Sequence, residues 1–108
     1  MAMVLSLDYD NTFTRDPLFW TDFLEMCHRH GHVVYGVTMR YESEKDDMDP
    51  RYLNGCYAVV FTSRQFKKDF CKKHGLNVDV WVDDMPEALY DPALSGLVFL
   101  NKEPKQKA

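Results

Sequence analysis

The chain has 108 residues, 45% hydrophobic, 28% charged and 14% aromatic, a composition that suits one globular domain and argues against a disordered or fibrous segment. Its formal net charge is −4, which argues against strong nonspecific binding to nucleic acid; the C-terminal NKEPKQKA is a short basic stretch. No stretch approaches the roughly 20 apolar residues that span a bilayer.

Residues 3–8, MVLSLD, read as a buried strand, and NTFTRDP follows as a polar turn. The run from Pro17 to His30 has Leu18, Phe19, Phe23, Met26 and Cys27 at helical spacing, which predicts one apolar face. Asp16 is the expected N-cap, Pro17 the first helical residue and Gly31 the stop. Residues 32–38, HVVYGVT, form a second β-branched run that ends in a hydroxyl. The acidic stretch 39–55, broken by Pro50 and Gly55, reads as a loop with one short helix. CYAVVFTS, 56–63, is a third strand. A helix over 64–75 would carry Phe66, Phe70 and Cys71 on one face, with Gly75 as its cap. VDVWVDD, 78–84, is a fourth strand. A short helix or turn over 85–94 and a fifth strand at 96–100 complete the series, before a frayed tail at 103–108.

Strands alternate with helices throughout, so the expected architecture is α/β. It is a Rossmann-like three-layer sandwich over 1–102, with a mostly parallel five-stranded sheet and no cap domain. Cys27, Cys56 and Cys71 are odd in number and widely spaced. That pattern suits reduced thiols behaving as small hydrophobes, and with no signal-like N-terminus it points to a cytoplasmic protein.

In an open parallel sheet, chemistry gathers at the C-terminal ends of the strands. Strand one ends in Asp8 and then Asp10, strand two in Thr38, and strand three in Thr62 and Ser63 shortly before Lys67 and Lys68. Strand four ends in Asp83 and Asp84. Carboxylates from two strands suit a hard cation such as Mg²⁺, which binds one or two carboxylates, waters and substrate phosphate. A carboxylate can also attack phosphorus, while a lysine and a hydroxyl stabilise the transferring oxygens.

These residues resemble the four motifs of the haloacid dehalogenase (HAD) superfamily of phosphatases. LDYDNT is similar to the first motif, D-x-D-x-T after an apolar strand. VVYGVT is similar to the second, RQFKKDF to the third, and VWVDDMPE to the fourth; they occur in the family's order across residues 4–87. The resemblance implies that Asp8 is nucleophile and metal ligand, and that Asp10 is general acid and base with its backbone carbonyl toward the metal. It implies that Thr38 binds the phosphoryl group and that Lys67 balances its charge. Asp84 then completes a Mg²⁺ site, and Asp83 ligates through water or orients the lysine. Asn11 stands where glycine is common in the family, a departure that is tolerable because Asn accepts unusual backbone angles better than most residues. The adjacent Lys68 leaves the lysine assignment open, because a helix turns about 100° per residue.

The intervals between motifs hold no cap domain, a short layout that resembles HAD-like proteins encoded by phages. Such an open site suits a nucleotide, another phosphorylated metabolite or a nucleic-acid phosphate end. The alternative is a receiver-like or catalytically inactive module on the same fold. Receivers, however, place an adjacent acid pair first and their phospho-acceptor later, the reverse of the order here. His28, His30 and His32 straddle a helix end and read as favourable to its dipole. The ESEKDDMD stretch lacks the glycine and terminal glutamate of an EF-hand and reads as a solvated acidic loop.

Overall fold

In the computed structural model, which describes residues 2–85, the first strand of the chain lies at the centre of the sheet. This is β1 (Val4–Leu7). It pairs in parallel with β2 (Val33–Thr38) on one side and with β4 (Val80–Val82) on the other. β2 pairs in parallel with β3 (Ala58–Phe61), so the strand order is β3-β2-β1-β4. Leu5, Ser6 and Leu7 are all buried, as expected of a parallel strand covered on both faces. Among the described residues the sheet has four strands, all parallel, not the expected five. The fifth strand at 96–100, all but the first residue of the helix or turn over 85–94, and the tail at 103–108 lie outside the described residues.

The chain moves from β1 to β2 to β3 in one direction, then returns past β1 to β4. Right-handed crossovers place the helices of the outward and return connections on opposite faces. The outward connections carry α1 (Pro17–Arg29) and α2 (Pro50–Gly55), and the return carries α3 (Lys67–Lys73). Asp16 caps α1 by accepting the Phe19 N–H at 3.2 Å, and Gly31 follows in the left-handed region at φ 80°. The inward face of α1 differs from the expected one. Leu24 and Cys27 are buried, with Trp20 and Phe23 packed against the core, while Leu18, Phe19 and Met26 are exposed. The stripe that meets the sheet therefore runs 20–23–24–27, rotated from the predicted 18–19–23–26–27 face.

Two further boundaries differ from the sequence reading. The stretch after β2 contains a 3₁₀ helix at Glu42–Asp47 as well as α2. α3 begins at Lys67 rather than Arg64, because Ser63 and Arg64 adopt φ 55° and 70°, which a right-handed helix cannot accommodate.

Tyr52 of α2 ties this crossover to the sheet. Its hydroxyl donates to the Leu7 carbonyl at 2.7 Å, and its ring meets those of Tyr9 and Phe13. Gly36 makes room for it: a Cβ there would lie 2.5 Å from the Tyr52 hydroxyl oxygen. A second tie joins the Asp49 N–H to the Tyr9 hydroxyl oxygen at 2.8 Å. The three cysteines are buried and free of disulfides. Among the described residues no helix is long and apolar enough to cross a membrane.

Candidate functional site

The strand order reverses between β1 and β4, so the crevice at their C-terminal ends is the topological switch point of the sheet. Asp8 follows β1 there, and its N–H donates to the Val82 carbonyl at 3.0 Å. Asp83 and Asp84 follow β4. Register alone thus brings together two acidic motifs about seventy-five residues apart in sequence.

Asp8 is buried, and both its carboxylate oxygens are engaged. Oδ1 accepts from Lys67 Nζ at 2.6 Å and Oδ2 accepts from the Thr12 hydroxyl at 3.0 Å. Lys67 Nζ also donates to Asp83 Oδ2 at 2.5 Å. The ammonium is thus a bridge between the two acidic strand ends, and the side chains of Lys67 and Asp83 are each 3% exposed. Burial pushes the Asp8 carboxyl up to about 7, with the Asp83 charge and the Asp84 contact adding to the rise and Lys67 opposing it. Desolvation outweighs attraction because the site lies deep beneath the rim.

Of the two candidate lysines, the structure brings Lys67 into this cluster and leaves Lys68 exposed. The left-handed pair Ser63–Arg64 delays the start of α3, so that Lys67 is its first residue and its stem runs inward.

Thr38 ends β2, is buried, and accepts the Arg40 N–H on its hydroxyl at 3.3 Å. It lines a pocket of about 170 Å³ with Asp8, Asp10, Asn11, Met39, Lys67, Asp83, Asp84 and Met85. The six residues expected at the site therefore share one concavity. Asn11 enters it with φ 64°, in the left-handed region that Asn adopts more readily than most residues, and its N–H donates to the Thr14 hydroxyl at 2.9 Å.

The carboxylates of Asp8, Asp83 and Asp84 each offer an oxygen within 4.8 Å of the others, so the group could hold a metal ion. Three hard oxygen donors converging in this way suit a hard cation. The side chain of Asp10 is outside that group. It points to the rim and pairs with Arg40 through two contacts, Nε to Oδ2 at 3.0 Å and Nη2 to Oδ1 at 2.8 Å.

Thr12 and Arg40 escaped the sequence reading as site residues. Thr12 had a signal, since it closes the D-x-D-x-T pattern; it joins Asp8 to Asp84, whose Oδ1 lies 3.5 Å from its hydroxyl. Arg40 had only its position two residues after Thr38. The histidines stay apart from the site. His32 Nδ1 accepts the Met3 N–H at 3.0 Å, and the rings of His30 and His32 stack.

Comparison of the chain with protein-family models, with curated proteins and with solved structures finds no match.

Proposed function

We propose that this protein is a phosphomonoester hydrolase of the HAD type, dependent on Mg²⁺ and working through an aspartyl phosphate on Asp8. The observation that carries the reading is the arrangement at the switch point. Asp8 lies beside a buried ammonium and two further carboxylates, in a pocket that also contains Thr38 and Asp10. A receiver-like or inactive module needs no half-exposed second carboxylate at the mouth of the pocket; a hydrolase does.

Asp8, Asp83 and Asp84 would hold the metal, which when bound offsets repulsion between the anionic nucleophile and the anionic ester. An Asp8 oxygen attacks phosphorus and forms a new P–O bond as the ester P–O bond breaks. The leaving oxygen takes a proton from the Asp10 carboxyl. In the second half-reaction a water gives a proton to the Asp10 carboxylate and its oxygen attacks phosphorus. The bond to Asp8 breaks, and inorganic phosphate leaves. Lys67 Nζ and the Thr38 hydroxyl are donors to the transferring oxygens.

A cavity of about 170 Å³ is well below the roughly 300–1,000 Å³ that encloses a drug-sized ligand. It suits a phosphoryl group, with the rest of the substrate outside. This supports a nucleotide, another phosphorylated metabolite or a nucleic-acid phosphate end as substrate. The test is hydrolysis of p-nitrophenyl phosphate with Mg²⁺ and then with EDTA. Turnover that needs the metal and disappears in Asp8→Asn is expected. Full activity in Asp8→Asn would overturn the mechanism.

A further inference from the structure

Asp10 is the candidate catalytic carboxylate whose side chain neither the metal cluster nor Lys67 holds. A rim carboxylate, half-exposed on its own side chain, would sample several rotamers, and proton transfer to a leaving oxygen requires one of them. Arg40 supplies the missing constraint. Its planar fork meets both Asp10 oxygens at 3.0 and 2.8 Å, a bidentate geometry that sets direction as well as distance.

Arg40 is itself held on three sides. Its guanidinium carbon lies 5.3 Å from the centre of the Tyr9 ring. Its backbone N–H donates to the Thr38 hydroxyl at 3.3 Å. The preceding residue, Met39, accepts the backbone N–H of Arg64 at 2.7 Å. Tyr9 is buried and anchored in turn by the Asp49 N–H. The chain of supports runs from core ring to guanidinium to rim carboxylate.

We infer that Arg40 is a positioning residue for Asp10, fixing the plane and direction of the carboxyl group that exchanges a proton with the leaving oxygen and with water. The inference rests on the phosphatase reading above. One N–H···O contact keeps the group in place while the other oxygen exchanges its proton.

A positioning role has a signature that a structural role lacks, because it scales with how much the leaving group needs a proton. p-Nitrophenolate departs as a stable anion; an alkoxide does not. The experiment compares kcat/KM for p-nitrophenyl phosphate and ethyl phosphate in wild type, Arg40→Gln, Arg40→Lys, Asp10→Asn and the double variant Asp10→Asn/Arg40→Gln, with thermal melts to confirm folding. General acid catalysis contributes about 10²–10⁴-fold. Arg40→Gln is therefore expected to lose about tenfold or more on ethyl phosphate and markedly less on p-nitrophenyl phosphate. Arg40→Lys, with a single ammonium in place of a planar fork, falls between. In the Asp10→Asn background the Arg40→Gln change has no further effect, since residues acting through one another are not additive.

An equal loss on both substrates, or a loss that persists without Asp10, overturns the inference and makes Arg40 a direct contact of the substrate. If Arg40→Gln does not fold, Arg40→Lys decides by the same comparison. Absence of turnover by the wild type on both substrates overturns the phosphatase reading and this role with it. Turnover that needs Asp8, with no selective deficit in the Arg40 variants, overturns only the role of Arg40.

Discussion

Replacing Lys67 by Met keeps most of the side-chain volume and removes the ammonium. In the structure that ammonium lies 2.6 Å from Asp8 and 2.5 Å from Asp83, and all three side chains are less than a tenth exposed. Removing one partner of a buried ion pair costs about 3–5 kcal/mol, because the other charge remains desolvated. Against a domain stability of about 5–15 kcal/mol, this is a large fraction. The loss depends on pH. Both effects of Lys67 on Asp8 lower its pKa, so without Lys67 the carboxyl rises further above 7 and folds in its protonated form. The variant thereby escapes part of the penalty as pH falls, by up to about 1.4 kcal/mol per pH unit. Urea unfolding in EDTA, followed by circular dichroism, should show Lys67→Met destabilised by about 3–5 kcal/mol at pH 8.5 and clearly less at pH 5.5. Lys68→Met, at an exposed position, is the comparison and should cost clearly less than Lys67→Met. A cost under about 1 kcal/mol at pH 8.5, or an equal cost at both pH values, would refute the buried-bridge reasoning.

The wild type has its own pH signature. A carboxyl raised from 3.8 to about 7 binds more protons folded than unfolded across that window, so metal-free stability should fall as pH rises from about 4 to 7 and level off above it. The Asp8 contribution is of order 4 kcal/mol, and Asp8→Asn should flatten the profile; an unchanged slope in that variant would place the titration elsewhere. Gly36→Ala would drive a methyl to 2.5 Å from the Tyr52 hydroxyl oxygen. It should destabilise by about 1–3 kcal/mol, read as a lower melting temperature, and no change in melting would mean that Tyr52 is not seated against β2.

Much of this arrangement was legible before any coordinates. Strand ends are marked by where β-branched runs stop at polar residues, and a parallel sheet sends all those ends to one rim. Asp8, Thr38, Asp83 and Asp84 could therefore be grouped without knowing the strand order. Asn11 was legible for a local reason, since few residues other than glycine accept φ 64° readily. The inward face of α1 was not. Leu18, Phe19 and Met26 are apolar yet exposed, and periodicity cannot distinguish two overlapping apolar stripes on one helix. The start of α3 depended on left-handed backbone at Ser63 and Arg64, residues whose types carry no such signal. Arg40 was hidden because its role comes from a partner thirty residues away. An arginine in a polar stretch reads as solvated until its fork is seen to close on a particular carboxylate.

The double tie of the β2–β3 crossover has a consequence for how such a fold can diversify. Tyr52 and Asp49 fasten the segment to the sheet, and Arg64 clasps its near end by bonding both Met39 and Glu44. Between these fastenings Ser43, Lys45, Asp46 and Asp47 are exposed, and Met39 lines the pocket. Exposed tips with anchored flanks are where inserted modules are best tolerated. Foreign sequence spliced into this exposed segment would leave its roots fixed. The crossover is thus a graft point, where sequence can be added while the sheet and the carboxylates at its rim keep their places.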